Sequence, residues 1–209
     1  MTTETHLLLF RPAGQDDVAF EQALIAALPQ GAALALALPE SALPALAHVA
    51  ARDPEVPDAL VRLPDGADAT ALVALSDPTR GTAFAGARHA VLPGGDAIRL
   101  FFGLRRLPAL SRAAFHDYWL NRHAEIGRRL IPPYTYHQLH ADDAETLELA
   151  AASGLAASTY DGIVEVHFPD VDAFVHQLSR TDVAEEALED EKNFIDHSRS
   201  RFWAFREVA

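Results

Sequence analysis

An α+β chain of two tandem βαββαβ units, closing a barrel between them, is the fold class the sequence predicts, on three observations. The second half of the chain reads strand, helix, strand, strand, helix, strand, with turn signals at the junctions. The first half repeats that order more faintly, and Pro93-Gly94-Gly95 forms a natural boundary between the two. The order is that of a split β-α-β, or ferredoxin-like, unit. Helices cover only one face of such a sheet, so two units bury their remaining faces against each other, and a tandem chain does this by itself. The expected domains are residues 1–93 and 96–209, and the expected architecture is an intrachain version of a dimeric α/β barrel.

The elements follow in order. Residues 98–106 are rich in strand formers and stop at Pro108. Ser111 is placed as a helix N-cap, and from Phe115 the positions Phe115, Trp119, Ile126 and Leu130 fall on one helical face together with His123 until Pro132-Pro133 ends the helix. Strands are expected at 134–140, 162–168 and 201–207. Residues 141–159 read as a long loop or short extra helix, and 170–195 as a helical region broken near 179–182. In the first half, 5–10, 32–38, 59–63 and 87–92 read as strands and 16–28 and 69–75 as helices, with an extra helix over 41–51.

Composition sets the class. With 209 residues, 49% of them hydrophobic, the chain can build a proper core. Its 17 Lys+Arg against 30 Asp+Glu leave a formal charge of -13, which places nucleic acid and anionic membranes low among partners, since phosphate binding needs a basic footprint. The absence of cysteine removes disulfides, thiolate nucleophiles and cysteine-ligated metal. No signal-peptide pattern or apolar run of membrane-spanning length is present, so the cytoplasm is the expected location.

Several spaced motifs together carry a resemblance. Leu110-Ser111-Arg112 with Phe115, Tyr118-Trp119, His123-Ala124, Tyr136-x-Gln138-x-His140, the run Tyr160 to Val166, and the late Asp190-Glu191, Phe194-Ile195-Asp196 and Ser198-Arg199-Ser200 occur in the order of the EthD family. The resemblance covers residues 98–209. It implies a dimeric α/β barrel with an interior cavity, in a wider group whose activities include cofactor-free monooxygenases, polyketide cyclases, lactone isomerases, decarboxylases and haem enzymes. Fold therefore does not give the reaction. The first half lacks both Trp-x-x-x-His and Asp-Gly-x-x-Glu and reads as a degenerate copy that closes the barrel, leaving one site per chain.

Strand alternation then sorts the side chains. Tyr136, Gln138 and His140 share one face, and so do Glu165 and His167; assigning the more apolar faces to the helices puts these five side chains toward the cavity. The expectation is cofactor-independent acid/base chemistry, of lyase, isomerase or cyclase type, on an apolar or aromatic small molecule. His140 and His123 are the acid/base candidates and Glu165 the orienting carboxylate. Tyr136, Gln138, His167 and Trp203 are expected as cavity walls and Tyr118 at the mouth. The plainer readings are a sheet interface of satisfied polar groups, and for His123 an imidazole that locks helix to sheet. No metal is expected: His137 and His140 lie on opposite strand faces, His116 and His123 are too far apart along a helix, and only Glu165, His167 and His140 are left to converge. A non-catalytic ligand-binding or accessory protein is the rival class, with a haem or metal oxidoreductase behind it. Homodimerisation is left open, because a barrel closed within one chain removes one reason to pair and leaves other surfaces free.

Overall fold

The computed structural model describes residues 2–43 and 52–209. The first half contributes β1 (Thr2–Leu9), α1 (Asp17–Ala27), β2 (Ala33–Ala37), β3 (Ala59–Leu63), α2 (Thr70–Ala74) and β4 (Thr82–Leu92). The second contributes β5 (Ile98–Leu104), α3 (Arg112–Tyr118), a π-helical turn (Trp119–His123), α4 (Ala124–Leu130), β6 (Thr135–Ala141), α5 (Asp143–Ser153), β7 (Ala156–Ala157), β8 (Gly162–Phe168), α6 (Val171–Leu178), α7 (Thr181–Glu191) and β9 (Arg201–Glu207). The helix expected over 41–51 lies mostly outside the described residues, and its described start is a 3-10 turn at Glu40–Ala42.

Each half has the same strand order. It runs β4-β1-β3-β2 in the first and β9-β5-β8-β6 in the second, with antiparallel pairs throughout. Two further antiparallel seams, β2–β9 and β4–β6, join the halves and close an eight-stranded barrel. The short β7 adds to β4 in parallel outside the ring. Closure leaves the barrel strands without open edges, a recognised route to a stable all-antiparallel sheet.

Side chains alternate between an interior and a helix-covered exterior. Leu8, Leu60, Phe84, Phe101, Leu139, Ile163, Trp203 and Phe205 fill the interior. Outside, Leu7, Leu9, Phe20, Leu24 and Leu72 bury α1 and α2, while Leu104, Phe115, Trp119, Phe194 and Ile195 bury α3 and the segment after α7. Helix starts are fixed as their sequences predict: Asp16, Ser111, Asp142 and Asp170 each accept main-chain N–H groups of the first turn.

One register differs from simple helical spacing. The π-helical turn at Trp119–His123 inserts extra backbone, so Gly127, not Ile126, meets the sheet. A Cβ at Gly127 would fall 2.6 Å from the Tyr136 ring, so glycine is what admits that ring between α4 and β6.

Candidate functional site

The structure splits the predicted site residues among three places. Pairing of β6 with β8 puts His137 opposite Glu165 and Thr135 opposite His167, so these four share the barrel interior. Tyr136 and Gln138, opposite Val166 and Val164, face outward with His140, toward the helices. The expected inward placement of Tyr136, Gln138 and His140 is thus corrected. Sorting faces by polarity failed on β6 because the barrel interior at that level is polar and the helix-side core takes the amides and imidazoles. The convergence of His140 with Glu165 and His167 is corrected with it: His137 takes that position.

The interior cluster centres on Arg99 of β5. Its guanidinium donates to Glu165 Oε1 at 2.7 Å and also pairs with Glu207 of β9. Burial opposes ionisation of Glu165, but Arg99, with His167 and His6, outweighs it and holds the carboxyl well below its usual range. His167 Nδ1 donates to the Asp96 carbonyl at 3.4 Å, which leaves Nε2 as the basic nitrogen of the neutral ring. That Nε2 is buried, 3.8 Å from Glu165 Oε2, and makes no hydrogen bond. The His137 ring lies 5.5 Å from that of His167, and Arg88 donates to His137 Nε2 at 2.9 Å. Burial first, then the Arg88 charge, pushes the His137 pKa down to about 4. An open cavity of about 250 Å³, walled by Arg62, Arg88, Arg99, His137, Glu165 and His167, adjoins the cluster at one mouth of the barrel. Trp203 is buried in the interior beyond it, donating to the Leu38 carbonyl at 2.7 Å.

On the helix side a second network is fully engaged. Trp119 Nε1 donates to the Tyr136 hydroxyl at 3.1 Å; Gln138 Nε2 donates to the same oxygen at 2.7 Å and to the Trp119 carbonyl at 3.0 Å. His140 Nε2 donates to Gln138 Oε1 at 2.9 Å, and its ring stacks on Trp119 at 4.8 Å, between His116 and His89. Burial, then His116 and His89, push the His140 pKa down to about 2. Gly162 lets the Trp119 indole lie flat on β8, where a Cβ would collide with it. At a third place His123 Nδ1 donates to Asp190 Oδ2 at 2.8 Å and the Tyr118 hydroxyl to Asp190 Oδ1 at 2.7 Å, tying the π-helical turn to α7.

The residues of the cluster that the sequence reading did not place there are Arg99 and Arg88, which it passed over, and His137, which it weighed only as a metal ligand. Arg99 carried a signal, being a charged residue in a strand otherwise rich in strand formers, but only the β5–β8 pairing sets it against Glu165.

His137, Glu165 and His167 offer ligand atoms within 4.8 Å of one another, the only such trio among the described residues. The donor types suit a divalent ion. Arg99 on Glu165 and Arg88 on His137 do not, since each sets a guanidinium where the ion's charge would sit. Haem fits no better: His140 and His123 each spend a ring nitrogen on a partner side chain, His140 is packed among rings, and the cavity of about 250 Å³ beside His167 is too small for a tetrapyrrole.

A closed antiparallel barrel clad by helices, built from two ferredoxin-like halves, is the architecture of the dimeric α/β-barrel proteins. Residues 107–198 match the model of the EthD domain. Among solved structures the chain is similar to a proposed chlorite dismutase (10% identity, TM-score 0.54, covering 100% of this chain and 96% of that one). It is also similar to a proposed monooxygenase from Lactobacillus acidophilus NCFM (9%, 0.50, 99% and 94%) and to a mutant chlorite dismutase from Candidatus Nitrospira defluvii (9%, 0.50, 97% and 91%). At these identities the likeness is one of fold. No curated protein matches the sequence.

Proposed function

We propose that this chain is a small EthD-type enzyme that moves a proton on a small molecule held at the barrel mouth beside His167. The observation that carries the reading is His167 Nε2: buried, without a hydrogen bond, its tautomer set by Asp96, and backed by a carboxylate that Arg99 keeps ionised. A proton taken by Nε2 forms an imidazolium next to the Glu165 carboxylate, which stabilises it as it forms. Glu165 keeps the orienting role expected of it. The acid/base role passes from His140, which is neutral and enclosed, to His167, with His137 as a neutral neighbour. His123, held by Asp190, and Tyr118 position helices. Three arginines on the cavity wall favour a substrate with a polar or ionisable head over a wholly apolar one. The reading needs no cofactor, and it takes residues 1–93 as a degenerate copy that supplies the other half of the barrel.

The test is proton exchange. Lactones, 1,3-dicarbonyl compounds and other carbon acids are incubated with the protein in D₂O and followed by ¹H NMR. The reading expects enzyme-dependent exchange in at least one class, lowered about 10²- to 10⁴-fold by His167→Ala. Exchange that survives both His167→Ala and Glu165→Gln overturns the assignment. A molecule retained through purification and returned intact after long incubation supports the binding-protein rival.

A further inference from the structure

The opposite mouth of the barrel holds a second and larger cavity, of about 550 Å³, in the size range of ordinary small-molecule sites. Phe84, Phe101, Leu139 and Phe205 fill the barrel interior between the two. Its walls run against the charge of the whole molecule. In a chain of formal charge -13, Arg80, Arg105, Arg199 and Arg201 all line this one cavity.

Two of the four are neutralised locally. Arg199 pairs with Asp196 at 2.6 Å, and Arg201 with Asp53 at 2.8 Å and Glu55 at 2.6 Å. The other two have no close carboxylate of their own. Arg80 lies over the Phe10 ring at 4.1 Å and donates to the Pro54 carbonyl, with no carboxylate partner among the described residues. The nearest carboxylate to Arg105 is Asp161, 3.8 Å away, and Asp161 already accepts from Arg106 and Arg112. Arg105 Nε is buried and makes no hydrogen bond. Its backbone is nonetheless fixed, because its N–H donates to Ser200 Oγ at 2.9 Å and its carbonyl accepts from the Asp196 N–H at 2.7 Å. The cation is thus held in place with donor capacity to spare.

Apart from Glu55, which is held by Arg201, the rest of the wall is apolar or neutral. Leu8, Phe10 and Pro57 supply apolar surface. Tyr160 lies over β5 at Gly103, where a Cβ would come within 2.6 Å of its ring, and burial pushes its pKa up to about 12, so the hydroxyl stays protonated.

We propose that this cleft binds a small organic carboxylate, its anionic head on Arg105 and Arg80 and its apolar body against Leu8, Phe10 and Tyr160. Guanidinium groups bind carboxylates through paired charge-assisted hydrogen bonds, and an apolar floor selects an acid with a hydrocarbon body over a bare inorganic anion. The inference stands apart from the proton-transfer reading, since it uses none of the residues around His167.

The full chain is titrated with butyrate, octanoate, benzoate and phenylacetate, each beside its neutral amide, by isothermal titration calorimetry and saturation-transfer NMR. At least one acid is expected to bind one-to-one, at least tenfold tighter than its amide and more weakly as salt rises. Arg80→Gln and Arg105→Gln are each expected to weaken it about tenfold or more, while His167→Ala leaves it unchanged. Arg80 is the exposed member of the pair, so its substitution reads the site even if Arg105→Gln disturbs the fold. No binding of any of the four acids at millimolar concentration overturns the proposal. So does equal binding of acid and amide, binding indifferent to both arginine substitutions, or binding lost with His167→Ala, which would move the ligand to the opposite mouth.

Discussion

Arg99 and Glu165 form a buried pair whose members depend on each other. Removing one partner leaves a desolvated charge, so Arg99→Met is expected to cost about 3 to 5 kcal/mol, read by urea unfolding at pH 7, and Glu165→Gln on that background to recover part of it. The pair also sets a pH dependence. The folded pKa of Glu165 lies below its unfolded value, so the unfolded chain takes up the proton first as pH falls. Stability from this group is therefore full above about pH 5 and is lost in more acidic solution, and Glu165→Gln should flatten the curve there. His140 and His137 act at higher pH. Both have folded pKa values well below the unfolded value near 6.5, so stability is full above that pH and falls below it. For His140 the decline continues down toward pH 2, with a slope of at most about 1.4 kcal/mol per pH unit. Heteronuclear NMR should find both rings neutral from pH 8 to pH 5; a His140 that titrates near 6.5 would contradict its enclosure between Trp119, His116 and His89.

At the scale of elements, the π-helical turn decides what the α3–α4 segment presents to the sheet. Counting at 3.6 residues per turn from Phe115 gives Ile126, whereas the inserted backbone brings Gly127 against Tyr136. Gly127→Ala is expected to destabilise the protein by about 1 to 3 kcal/mol in equilibrium unfolding, although alanine is the better helix former. A gain in stability would mean that α4 is free to shift away from β6. The start of α3 was legible because its cap is local: Ser111 sits beside the amide it satisfies, whereas the Asp142-capped α5 fell in a stretch read as a long loop or short extra helix. The facing of β6 was not. Its residues are polar on both sides, so alternation gives two sets without saying which is inside, and only the pairing of His137 with Glu165 settles it.

For the whole molecule, two seams hold the halves together. In β4–β6, Gly86 leaves no room for a side chain: a Cβ would lie 2.7 Å from the His140 carbonyl oxygen and 2.9 Å from the Phe84 ring. Gly86→Val should therefore open the seam and lower the thermal midpoint by several degrees, while a surface substitution such as Val18→Thr does not. An unchanged midpoint would show that β4 and β6 are not closely paired there. Because the barrel closes within one chain, a second copy is not needed to cover the sheet.

The sequence by itself determined the α+β class, most of the order of elements, the Ser111 cap and the EthD resemblance of the second half. These depend on short-range chemistry: strand alternation, capping side chains, turn glycines and prolines. It also singled out Glu165 and His167 as chemically unusual strand residues. The tertiary structure decided which neighbours those two have. Arg99 reaches Glu165 across 66 residues of chain, and Arg88 reaches His137 across 49, through strand pairings that no local pattern specifies. The same pairings turned Tyr136, Gln138 and His140 toward the helices and gathered four arginines at the far mouth, because the register between distant strands, not the residues themselves, sets which side chains meet.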